Sequence, residues 1–156
     1  MTAAYLPLVT GEIVIPISQE LLWRQIISLW VSESGIPSSQ AFGPATADHG
    51  KPSYSRQSIV KATEAMAWHN TNARSPSIAV WAVSVSEVDQ SRTRSVDDHA
   101  LTRSGAPGHC YVDYRHMDKS TERSVRAQLL IHAKARGAVI HAVDACAEEE
   151  PPASSC

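Results

Sequence analysis

The segment His109-Cys-Tyr-Val-Asp-Tyr-Arg115 carries the chain's densest set of reactive side chains. Read as a strand, its period of two sends His109, Tyr111, Asp113 and Arg115 to one face, and Cys110, Val112 and Tyr114 to the other. An imidazole, a phenol, a carboxylate and a guanidinium then stand in a row. These groups suit acid–base chemistry on an anionic ligand. Imidazole titrates near neutrality, Asp113 can orient it, and the fork of Arg115 can grip phosphate or carboxylate. Same-face neighbours on a strand lie roughly 7 Å apart, so direct contact needs long side chains or curvature. A polar sheet face turned to water would carry the same residues.

A second group lies upstream, where Ala47-Asp48-His49-Gly50 precedes Ser53-Tyr-Ser55. Asp48 can orient a base such as His49, and either Ser53 or Ser55 can serve as nucleophile. Free backbone amides at a helix start beside Ser55 would favour an anion, although Ser55 can equally be a plain helix cap. Neither serine sits in G-x-S-x-G, and there is no Gly-rich phosphate loop. The candidate catalytic set is therefore His109, Asp113, Asp48 and Ser55. The candidate ligand-binding set is Arg24, Ser39, His49, Tyr111 and Arg115, with Arg24 or Arg115 clamping the anion. None of the seven histidines forms H-E-x-x-H, H-x-H or a zinc-type Cys/His cluster, so neither a metal nor a cofactor is expected.

These residues must be held by a small set of elements. Glu12 to Ile17 reads as a short strand limited by Pro16. A helix is expected over 19–33, capped by Ser18, with Leu22, Ile26, Leu29 and Trp30 on its inward face and Gly35 beyond it. Residues 35–55 are rich in Gly, Pro and Ser and read as a long loop that Phe42, the chain's one Phe, could pin to the core. A second helix is expected over 56–69, with Ser55 as its cap. Ser77 to Val85 is nearly continuous in apolar character, as a central strand covered on both faces should be. Residues 86–108 read as a polar loop through Arg92, Arg94, Asp97, Asp98 and His99, ending in Gly105-Ala-Pro-Gly108. A third helix is expected over 120–136, with Val125, Leu129 and Ala133 inward and Gly137 closing it, then a short strand over 138–143. The expectation is one α+β domain over 1–146, a small mixed sheet packed by three helices, with a disordered acidic tail at 147–156.

The 156 residues suit a single domain able to bury its own core. An apolar share of 43% excludes intrinsic disorder, and no apolar run reaches membrane-spanning length, so no membrane partner is expected. A net charge of −2 gives the whole molecule no footprint for nucleic acid. Charge is nonetheless uneven: six basic side chains (Arg115, Lys119, Arg123, Arg126, Lys134, Arg136) face only Asp118 and Glu122 between 115 and 136. Such a helix can seat an acidic partner or simply be a solvated face. Three scattered cysteines and an N-terminus without a basic, apolar leader point to a cytoplasmic protein.

The run Pro37-Ser-Ser-Gln-Ala-Phe-Gly-Pro44, then Asp48, Tyr54-Ser55, AVWAVSV and Ala106-Pro-Gly-His-Cys-Tyr-Val-Asp-Tyr-Arg115 resembles a set of small bacterial proteins without an established activity. The resemblance covers about residues 20–137 and implies that Arg24, Ser38, Ser39, Phe42, Asp48, Ser55 and His109 form one site. The early Arg followed by a Ser-bearing segment is also loosely similar to ADP-ribosyltransferase-like domains, whose catalytic Glu has no counterpart here. The first functional expectation is an interaction or accessory protein of a bacterial multiprotein system, its four tryptophans (Trp23, Trp30, Trp68, Trp81) and basic helix meeting a protein partner. The alternative is an enzyme, ADP-ribosyltransferase-like or hydrolase-like, acting on a phosphate-bearing or nucleotide ligand.

Overall fold

The structure, a computed structural model, describes residues 4–141. Six strands build one sheet: β1 (Ile13–Val14), β2 (Leu21–Ile27), β3 (Ser53–Arg56), β4 (Ser77–Ser84), β5 (Ser95–Asp97) and β6 (His109–Val112). Their spatial order is β1-β5-β6-β3-β2-β4. Three α-helices accompany them, α1 (Ala62–Asn72), α2 (Val85–Gln90) and α3 (Lys119–Arg136). The α+β class is as expected. The sheet is antiparallel throughout rather than mixed, since none of its five ladders is parallel. Among the described residues no helix is long and apolar enough to cross a membrane.

β4 holds the centre of the core, as its apolar run requires. Its alternate residues feed opposite faces. Ala79, Trp81 and Val83 join Leu22, Ile26, Phe42, Tyr54, Val112 and the α3 stripe Val125, Leu129 and Ala133. Val80 and Ala82 join Trp23, Val60 and Ala65 under α1. α3 begins where Asp118 accepts from the Thr121 amide at 2.7 Å and ends at Gly137, whose φ of 89° suits a residue without Cβ.

Residues 19–33 are not a helix. Leu21–Ile27 is a strand paired with β4 over seven residues, followed by a single 3₁₀ turn at Ser28–Trp30. The strand is covered on both faces, so its near-continuous apolar run satisfied a helical period as well as a period of two. Leu29, expected inward, is 81% exposed. The second expected helix also starts late. Ser53–Arg56 extends as β3 and α1 begins at Ala62, its first turn closed by Glu64 accepting from the Lys61 amide. Ser55 is therefore a strand residue and not a cap. The expected 86–108 loop contains α2 and β5. Ser84 and Glu87 form a reciprocal capping box at the start of α2, with bonds of 2.8 and 3.0 Å.

The 35–55 segment contains two 3₁₀ turns, at Ser39–Phe42 and Thr46–Asp48, and its last three residues belong to β3. Phe42 is fully buried, and its carbonyl accepts from the hydroxyls of Tyr54 and Tyr114. The expected strand at 138–143 is reduced to a bridge between Ile140 and Val80. Its last two residues and the expected acidic tail lie outside the described residues.

Candidate functional site

The ladders place a run of polar residues across one face of the sheet. Ala82 faces Trp23, Trp23 faces Ser55, and Ser55 faces His109. Asp97 faces Cys110, so Asp98, one residue further on, comes beside His109. On the next rung Val80 faces Gln25, and Ser53 faces Tyr111. Directly opposed residues share a face, so these lie on the side that α1 partly covers, except Asp97 and Cys110, which alternation turns to the other face.

His109 has a polar partner on each ring nitrogen. Nδ1 lies 2.6 Å from Asp98 Oδ1, and Nε2 lies 3.0 Å from Ser53 Oγ. A carboxylate only accepts, so Nδ1 donates to Asp98, and in the neutral imidazole Nε2 is left to accept from the Ser53 hydroxyl. The result is a Ser53–His109–Asp98 hydrogen-bonded triad drawn from β3, β6 and the residue that follows β5. The turn before His109 makes it possible. Gly108 has a φ of 65°, and a Cβ there would lie 3.2 Å from both the Arg56 amide and Ile59 Cβ. Glycine lets this turn press against the end of β3 while the Arg56 amide donates to the Gly108 carbonyl at 2.9 Å.

Beside the triad lies a mostly apolar pocket of about 260 Å³. Trp23, Trp30 and Trp68 supply its aromatic walls, and Arg24, Gln25, Ser53, Ser55 and His109 are also in its lining. It opens because β2 and β3 part company: their ladder contains only Leu22↔Arg56 and Trp23↔Ser55. The Leu21 carbonyl accepts from Gln57, so period two also turns the main-chain groups of Trp23 and Gln25 toward β3. At Gln25 the ladder has already ended, leaving a fork.

Arg24 closes the base of that fork. It is 6% exposed. Its Nε donates to the Ala41 carbonyl at 2.6 Å and its Nη1 to the Ser53 carbonyl at 2.7 Å, while the guanidinium lies over the rings of Trp30 and Tyr54. No carboxylate among the described residues comes within ion-pair distance. Carbonyl dipoles and ring faces thus share a buried positive charge.

Of the residues expected from sequence, Arg24, Ser55 and His109 meet in this lining. Asp113 does not orient His109, because Asp98 occupies that position. Asp113 is fully buried and accepts from Arg94 Nε at 3.0 Å and from Arg115 Nε and Nη2 at 2.9 and 3.0 Å. Burial opposes its ionisation, but the bonds and charges of Arg115 and Arg94 outweigh that and hold its pKa below the ordinary value. Arg115 is spent on that clamp and on the Tyr111 hydroxyl. Tyr111 in turn donates to Glu12 at 2.7 Å, and burial together with that bond pushes its phenol pKa upward. Asp48 accepts from the Ala45 amide at 2.7 Å and shapes its own turn. His49 is an exposed residue in the left-handed region, with a φ of 51°. Neither residue lines the pocket, and Ser39 is also absent from it. The loop meets His109 only through Ser53 and Ser55. Gly50 instead packs against Arg115 and accepts from the Tyr114 amide at 2.9 Å.

Asp98 and Gln25 were not singled out from sequence. Nothing local marks either residue; strand pairing brings Asp98 beside His109 and sets Gln25 in the pocket lining. Cys110 is buried, which raises its thiol pKa and removes it as a nucleophile. Among the described residues no three His, Cys, Asp or Glu side chains converge to hold a metal ion. The chain matches no family model, no curated protein and no solved structure.

Proposed function

We propose that this chain is a hydrolase-like enzyme acting on a small ligand that joins a flat ring to a phosphate. The Ser53–His109–Asp98 relay at the mouth of an aromatic-walled pocket carries the reading. His109 Nε2 takes the Ser53 proton as Oγ forms a bond to the electrophilic atom, and Asp98 stabilises the imidazolium so formed. The imidazolium gives that proton to the leaving group as its bond to the electrophilic atom breaks. Water, deprotonated by the same nitrogen, then attacks the adduct, the bond to Oγ breaks, and the imidazolium protonates Oγ to restore the hydroxyl. The tryptophans stack the ring, and Arg24 lends positive charge to the phosphate end.

The test is turnover by the purified chain of a panel of nucleotides and nitrophenyl phosphates, compared with Ser53→Ala and His109→Ala. Product formation abolished in both variants, with each still folded, is the expected result. Turnover that survives Ser53→Ala removes the serine from the mechanism, and an inert wild type on every substrate overturns the reading.

A second reading, an interaction or accessory protein of a bacterial, cytoplasmic assembly, is supported by a different surface. Val9, Ile13 and Ile17 are 59–66% exposed on the two-residue edge strand β1 and the segments that flank it. Edge strands with exposed apolar residues readily accept a partner. Light scattering during gel filtration, with and without Ile13→Lys, distinguishes a self-associating or partner-seeking edge from an inert one.

A further inference from the structure

α3 carries positive charge where a helix least favours it. Lys119 is its first residue, and Arg123 follows four positions on. A cation in the first turn opposes the helix dipole, and like charges at this spacing repel. Arg126 comes a turn later on the same side, so three cations line one mostly polar cleft of about 450 Å³. The 44–50 turn, with Thr46 and Gly50, forms the opposite wall. The cleft lies on the face of the sheet packed by α3, away from α1 and the aromatic pocket.

Nothing among the described residues balances this charge. Lys119 and Arg123 have no ion pair there, and Arg126 has only Glu122, at 3.8 Å. Asp48 and Asp118, the carboxylates of the same two segments, are turned to the amides of Ala45 and Thr121. Arg126 is also held in place. Its stem lies against Gly43, where a Cβ would collide with Cδ and Cγ, and its Nε is enclosed without a hydrogen-bond partner. Three cations against the one carboxylate of Glu122 leave the cleft an uncompensated positive charge that an anion would match.

A single carboxylate brings one negative charge, whereas a phosphate monoester brings about 1.5 to 2 at neutral pH on three acceptor oxygens. Guanidinium forks and an ammonium suit those oxygens. Among the described residues no aromatic side chain lines the cleft, so nothing there would stack a base. Its volume falls within the roughly 300–1,000 Å³ of small-ligand sites and leaves room beyond the phosphate itself. We infer that this cleft is a second binding site, for a phosphate monoester with a compact, non-aromatic body. The inference does not depend on the reading of the aromatic pocket.

The experiment is calorimetric titration of the full chain with glycerol 3-phosphate, inorganic phosphate, glycerol and succinate at neutral pH and low salt. Wild type should bind the ester best, inorganic phosphate more weakly, succinate at least tenfold more weakly, and glycerol not at all. Arg123→Gln with Arg126→Met removes two charges but keeps the packed stem. It should weaken the ester at least tenfold with the melting temperature equal or higher. Lys119→Gln, at an exposed position, should also weaken it and serves if the double variant fails to fold. Glu122→Gln removes the one opposing carboxylate and should tighten binding, whereas Ser53→Ala should leave it unchanged. No binding of the ester by wild type, succinate or inorganic phosphate binding as tightly as the ester, or unchanged affinity in the charge variants overturns the inference. Loss of binding in Ser53→Ala overturns it too, by placing the ester in the aromatic pocket.

Discussion

Asp113→Asn separates a structural carboxylate from a catalytic one. In the folded protein Asp113 is fully buried between two guanidiniums, accepting three side-chain bonds of 2.9–3.0 Å and a fourth from the Arg115 amide at 3.2 Å. Asparagine keeps the shape but removes the charge and leaves the two cations without their anion. Breaking a buried pair in this way costs about 3–5 kcal/mol. At 2–4 °C per kcal/mol for a chain of this size, the melting temperature should fall by roughly 6–20 °C. Urea unfolding followed by tryptophan fluorescence measures the change, with an unaltered m-value confirming that the same fold is being lost. The pH dependence has a definite sign. The folded-state pKa lies below the ordinary 3.8, so the stabilisation is complete above that value and disappears as pH falls through the folded pKa. The variant should therefore show a flatter acid limb than wild type. A loss under about 1 kcal/mol, or an acid limb identical to wild type, refutes the idea that this carboxylate serves the fold.

Asp98→Asn gives the opposite profile. Its carboxylate is partly solvated and bonds only the imidazole and nothing deeper, so unfolding should shift by no more than about 1 kcal/mol while turnover falls by about 10²–10⁴, the usual contribution of acid–base assistance. Steady-state rates on the best substrate of the panel check this, and an unaffected kcat removes Asp98 from the relay. Gly108→Ala forces a Cβ into a left-handed turn and against the Arg56 amide, which should destabilise by about 1–2 kcal/mol and shift His109, visible as an altered imidazole resonance in the proton NMR spectrum. Lys119→Glu with Arg123→Glu reverses charge on the exposed side of α3. The pair should abolish salt-sensitive capture of an acidic partner with the melting temperature unmoved, and unchanged capture would leave α3 as a solvated face.

Where local chemistry is decisive, the elements were legible in the amino-acid order. Ser77–Ser84 is unbroken in apolar character because both of its faces are covered, and α3 carries an apolar stripe and a glycine stop at Gly137, while its acidic cap at Asp118 came from the structure. Where a segment satisfies two periods, as Leu21–Ile27 does, only its seven-residue pairing with β4 chose between strand and helix. The candidate site follows the same division. His109 and the serines at 53 and 55 stand out by type, and the glycine turn before His109 marks a close approach. The choice of Asp98 over Asp113 was invisible, because alternation along β6 puts Asp113 on the face of His109 but says nothing of what pairs beside it. Cross-strand registry brought Asp98 to the imidazole, while Arg94 and Arg115 captured Asp113 from positions 19 residues before it and two after. The pocket is likewise a product of tertiary structure. It exists because the β2–β3 ladder stops after two pairs and Arg24 wedges the fork, and a break in pairing is a property of two strands that neither one records alone.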